Sequence, residues 1–215
     1  MLSTRVRKTH CAALAVSSLL MLAACGGGGD SSPGATASPP ASQQVAPPEV
    51  VLADTYTELV AGTTGSKPGW PAWVGPASGT VVAGVGCTVS GNYHQHSLVT
   101  MYKDGVRMGP PDNVGRGACD FELHTHDVTG MVHIHSDVPK KFTLGQFFTL
   151  WGQPLAAGGT AGMAGPVRYH VIENEKLTLY AGDPAQLELI PHREIVIISG
   201  TGPGVLPKYR WPGNL

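Results

Sequence analysis

The strongest constraint on this chain lies between Phe121 and Ser136, where the sequence reads F-E-L-H-T-H-D-V-T-G-M-V-H-I-H-S. Two H-x-H pairs, His124/His126 and His133/His135, flank Asp127-Val128-Thr129-Gly130. Asp and Gly are turn formers, so the stretch reads as a hairpin with those residues at its tip. In an antiparallel pair, residues i and i+2 share a face, and so do residues directly opposed. A tip with an even number of residues sets His124 opposite His133 and sends all four imidazoles to one side. An odd tip slips the register by one and divides them between the two faces. The even register is the one expected here.

A third pair, His94/His96, opens a run from Tyr93 to Tyr102 that alternates as a strand does. His94, His96, Leu98 and Thr100 fall on one face; Gln95, Ser97, Val99 and Met101 fall on the other. Lys103-Asp104-Gly105-Val106 follows, and Asp-Gly after a β-rich run predicts a tight hairpin with a return strand over 106–108. Farther on, Leu144, Phe147, Phe148 and Trp151 fall at i, i+3, i+4 and i+7, the stripe of an amphipathic helix. Thr143 and Gln146 have capping-box spacing, and Gly152 is placed to stop the helix. Trp70 and Trp73 read as a plug packed on the domain. Residues 54–60 suit a short helix or a strand. Strands are expected over 168–172, 177–180 and 195–199, with a mobile Gly/Ala-rich loop over 156–165 and a Pro/Gly-rich surface tail from 200 to 215. This order predicts an α+β fold with a mostly antiparallel or mixed sheet and one main amphipathic helix. The succession β-β-α-β-β with a closing apolar strand resembles a β-grasp arrangement.

The ends of the chain bear on where such a domain would work. Arg5, Arg7 and Lys8 precede an apolar run from Cys11 to Ala24 that is too short for a membrane span of about 20 residues. That is the pattern of a secretory signal. It closes on Leu22-Ala23-Ala24-Cys25, which resembles the lipobox of bacterial lipoproteins. The resemblance implies cleavage after residue 24, lipidation of Cys25 and a lipid anchor in the cell envelope. Gly26 in place of aspartate then implies the outer membrane in a Gram-negative host. The stretch 25–49, rich in Gly, Ser, Pro and Ala, cannot bury enough surface to order itself and reads as a tether. A single domain over 50–207 and a tail over 208–215 complete the expected organisation.

Loss of the signal would leave 11 basic residues against 15 acidic ones, since the removed segment holds Arg5, Arg7 and Lys8 and no acid. A net acidic chain without a basic cluster argues against nucleic acid as a partner. Removing Cys11 and committing Cys25 to lipid leaves Cys87 and Cys119. In an oxidising compartment two such cysteines pair and would clamp the histidine regions together. The alternative is a thiolate ligand, for which Cys119 is the better placed.

Imidazole suits zinc, copper, iron and nickel, and an H-x-H pair on a strand aims two nitrogens at one point without backbone strain. His94, His96, His124, His126, His133 and His135 are therefore the candidate metal ligands. Glu122 and Asp127 are nearby carboxylates and read as alternative ligands, imidazole acceptors or, in a catalytic site, general bases. His170 and His192 stand alone and read as surface or structural residues. The bland alternative is that some of the six are solvated strand residues or are bonded to core carbonyls.

The run Cys119-x4-His124-Thr125-His126-Asp127, Gly130-x2-His133 and Phe142-Thr143-Leu144-Gly145-x-Phe147-Phe148-x2-Trp151-Gly152 resembles a group of uncharacterised bacterial and archaeal secreted or lipoprotein domains. The resemblance covers roughly 87–199 and implies shared architecture and a shared site, with no named reaction. In that group the position of His135 is often glutamate, so a fixed role for this position is not implied. Three readings remain open at this stage. One is capture, buffering or presentation of copper(II) or zinc. Another is a metal-dependent hydrolase or oxidase. The third is an interaction module whose histidines pack or sense pH, its protein partner unknown.

Overall fold

The computed structural model describes residues 49–60, 65, 67–77 and 79–215. The expected leader, Cys25 and the tether up to residue 48 lie outside the described residues. Ten main elements follow in chain order: β1 (Val51–Glu58), β2 (Tyr93–Lys103), β3 (Val106–Gly109), β4 (Leu123–His124), β5 (Met131–Ser136), α1 (Leu144–Trp151), β6 (Val167–Glu173), β7 (Lys176–Tyr180), β8 (Glu194–Ser199) and β9 (Val205–Arg210). The fold is α+β, dominated by mixed and antiparallel sheet.

β2 is the spine of the main sheet, because it is long enough to take different partners at its two ends. Its first half pairs antiparallel with β5, and β5 in turn with β4. Its last residues pair with β3 through Asp104-Gly105, both at positive φ (49° and 78°), the backbone that a two-residue hairpin requires. Along its other edge β2 runs parallel to β8, which continues antiparallel to β6 and then β7. The order β7-β6-β8-β2, with hairpin partners beyond, has a parallel pair, β8 and β2, at its centre.

One face of this sheet carries the large core. Val99 and Met101 of β2, Val132 and Ile134 of β5, and Ile195 and Ile197 of β8 meet Phe147, Phe148 and Trp151 of α1. The helix ends are as the sequence predicts. Thr143 and Gln146 form the reciprocal capping box, and Gly152 closes the last turn in the left-handed region. Trp70 and Trp73 plug this core from outside, donating their indole N–H groups to the carbonyls of Ala161 and Leu150 at 2.6 and 2.9 Å.

Two expectations fail for the same physical reason. Residues 156–165 are not a bare loop, since 155–156, 159–160 and 163–164 form a small antiparallel meander with Thr160, Ala161 and Met163 buried. The 200–215 tail is not a surface coil either. β9 pairs parallel with β1 across the sheet's second face, and Leu206 is fully buried there beside Val50, Tyr102, Val196 and Ile198. Small and Pro/Gly-rich sequence permits close packing as readily as it permits exposure, and only long-range partners decide between them. Among the described residues no helix is long and apolar enough to cross a membrane.

Candidate metal centre

The second face of the sheet changes character along β2. Tyr102, Thr100 and Leu98 lie beneath β9 and the residues after it, whereas His96 and His94 continue the same face toward solvent. Here the hairpin register has its effect. His124 of β4 pairs with His133 of β5, and His133 pairs with His96 of β2. Three imidazoles therefore stand abreast on three adjacent strands. His135 and His94 form the next row, again directly opposed. The even register predicted from the sequence is the one observed. The ladder nevertheless ends at His124, because Thr125 turns to bond Val114 and its hydroxyl donates to the Pro111 carbonyl. His126 thus leaves the strand but folds back over its neighbour.

The rings gather into two triads, His94/His96/His133 and His124/His126/His133, each with one nitrogen per ring within 4.8 Å of the others. His96 Nε2 lies 3.0 Å from His133 Nδ1, and His124 Nε2 lies 3.1 Å from His126 Nε2. His124 Nδ1 is 2.8 Å from the Phe121 carbonyl oxygen, which can only accept, so Nδ1 carries the proton and Nε2 presents its lone pair. This is how proteins orient metal-binding imidazoles. His135 wedges edge-on between His94 and His124, at centroid distances of 3.9 and 4.7 Å. Its Nε2 is buried with no hydrogen-bond partner. An unmet buried polar atom costs about 1–3 kcal/mol, a cost that coordination would remove.

Burial is the largest cause lowering the proton affinity of all six rings, with mutual repulsion among them adding to it at most positions. His96 and His124 are both pushed down to about 4. The cluster is therefore neutral at pH 7, the protonation state that ligates metals.

The remaining candidates are occupied elsewhere. Cys119 is bonded to Cys87, with Cα atoms 5.9 Å apart, which corrects the alternative of a Cys119 thiolate ligand. Glu122 Oε2 accepts from Lys140 Nζ at 2.6 Å and from the Gly86 N–H at 3.0 Å. Asp127 Oδ1 accepts from the Thr129 N–H at 2.7 Å and shapes the hairpin tip. His170 is buried on β6, away from the triads. His192 is an exposed residue, as expected, its ring against Trp211 and its Nε2 2.7 Å from the Leu215 carbonyl oxygen; its backbone N–H donates to the His96 carbonyl, and a pocket of about 330 Å³ that includes His192 opens onto His94 and His96. Arg116 is a further neighbour of the cluster, its Nη1 3.4 Å from His126 Nδ1. Neither residue has a periodic signal in the sequence: Arg116 comes from the loop ten residues before His126, and His192 from the loop before β8.

Gly115 holds the row from below. Its φ is +76°, and a Cβ there would collide with the Leu123 carbonyl oxygen and approach His124 Cβ to 3.0 Å. Gly115→Ala is expected to cost about 2–4 kcal/mol through overpacking and strain and to weaken metal binding by displacing His124. Urea unfolding with a parallel metal titration checks both; wild-type stability in the variant would refute it.

Comparison with family models, with curated proteins and with solved structures finds no match. The histidine groups can hold a metal ion, and that conclusion rests on their geometry.

Proposed function

We propose that this domain captures a divalent transition metal, copper(II) or zinc, in the cell envelope and buffers or presents it there. The observation that carries the reading is the convergence of imidazoles into two triads, His94/His96/His133 and His124/His126/His133, beside a buried His135 Nε2 that has no partner. An all-nitrogen donor set fits copper(II) and zinc, and copper(II) stands highest in the affinity order for such ligands. Met101, Met108, Met131 and Met163 are scattered along the chain, so a methionine-rich copper(I) site is not the model. The Cys87–Cys119 bond suits an oxidising compartment, and the lipobox-like Leu22–Cys25 suits a lipid anchor. Capture is favoured over hydrolysis because Glu122 and Asp127, the two nearby candidate bases, are engaged by Lys140, Gly86 and Thr129.

The full-length chain, stripped of metal, is expected to bind copper(II) or zinc with Kd below about 1 μM, and His133→Ala to weaken binding by about 100-fold or more. Equilibrium dialysis against a competing chelator measures both. Binding no tighter than micromolar in the intact chain would remove the proposal.

A further inference from the structure

We propose that the cluster is a two-ion centre in which the imidazole of His133 bridges the ions. One ion would lie among His94, His96 and His133, the other among His124, His126 and His133. This rests on the metal-binding reading above and deepens it.

Three observations lead there. The first is membership: the two triads have no residue in common except His133. A single six-histidine site would draw the rings toward one point, whereas these converge on two.

The second is placement. His133 sits on the middle of three strands, with His96 in register on one side and His124 in register on the other. Its Nδ1 faces His96 Nε2 at 3.0 Å, which leaves Nε2, on the far edge of the ring, for the opposite triad. A ring with diverging lone pairs, held between two ligand pairs, is what a bridge requires.

The third is access. Each triad combines buried or half-buried rings with one exposed ring, His94 in the first and His126 in the second. Each position thus reaches solvent independently. His135, wedged between His94 and His124, offers its unpartnered Nε2 as a further ligand.

The chemistry balances without a redox step. Each imidazole nitrogen donates a lone pair, and His133 releases its remaining ring proton to solvent when the second ion binds. Both ions keep their oxidation state.

Copper(II) is the probe that reads the bridge. The full-length, metal-free chain is titrated with copper(II), metal content is measured after dialysis, and unpaired spins are counted by electron paramagnetic resonance. Two coppers per chain are expected. The detected spin should fall well below the copper content as the second equivalent enters, because the shared ring couples the two centres. His94→Ala and His126→Ala, both at exposed rings, should each hold one copper with its full spin. His133→Ala should abolish the coupling. One copper per intact chain at saturation would overturn the two-ion centre and leave the capture function standing. Two coppers with full spin would overturn the bridge. No copper at all would remove the parent reading with it.

Discussion

Acidification from about pH 7.5 to about pH 4.5 is expected to strip the metal-free domain of most of its stability. The direction follows from the depressed histidines. Above an ordinary pKa of 6.5 the rings are neutral in both folded and unfolded chains, and stability is fully present. Below it the unfolded chain takes up protons that the folded cluster refuses, so stability is lost as the pH falls toward the folded values. For His124, 1% exposed and held at about 4, the loss is about 3 kcal/mol once the pH reaches that value. His96, at 4% exposure, follows the same course. One group opposes them. Glu194 is buried, accepts from the Thr100 hydroxyl at 2.8 Å and is pushed up to about 7, so it favours the folded state as the pH drops from 7 toward 4.5. One carboxyl cannot offset the whole cluster, although Asp120 lessens the penalty at His124, His126 and His135. The urea midpoint measured at several pH values should therefore fall steadily between pH 6.5 and 4. A midpoint that stays flat or rises over that range would show that the rings are not buried as neutral species.

Breaking the Cys87–Cys119 bond is the second large effect. The bond closes a loop of sequence separation 32, and losing that constraint on the unfolded chain costs about 3–4 kcal/mol. For a domain of this size that is a fall of about 10 °C in Tm. The bond ties the segment before β2 to the segment before β4, where Cys87 also bridges to Phe121. The histidine rows, however, are built by the β2–β5 and β4–β5 ladders, which do not pass through either sulfur. Cys87→Ser combined with Cys119→Ser should thus lower Tm while leaving metal content per folded chain unchanged. Loss of metal from a variant that is still folded would place the sulfur closer to the site than the ladders imply.

The parts readable from sequence are those whose causes are local. Alternation marks β2 and β5, Asp104-Gly105 marks their neighbouring hairpin, and Thr143, Gln146 and Gly152 bound α1 by hydrogen bonds within a few residues. The hairpin register depended on the length of the tip, and the fold holds it even, since a slip of one would send Ile134 and Val132 away from the core. What was not readable depends on loop paths and partners that no periodic pattern encodes. β1 and β9 pair across the second face, Arg116 and His192 reach the histidines from separate loops, and Lys140 draws Glu122 aside. Cys119 could be read two ways until its distance from Cys87 was known.

The six rings all come from one continuous stretch, 94–135, and their ladders join strands that are near neighbours in sequence. The parallel partner of β2 arrives only at 194–199, and the β1–β9 layer only with 205–210. Loop-closure entropy makes the nearby pairings faster to form than the distant ones. The ligand rows thus belong to the low-contact-order part of this topology, whose pairings close shorter loops than those joining β2 to β8 or β1 to β9.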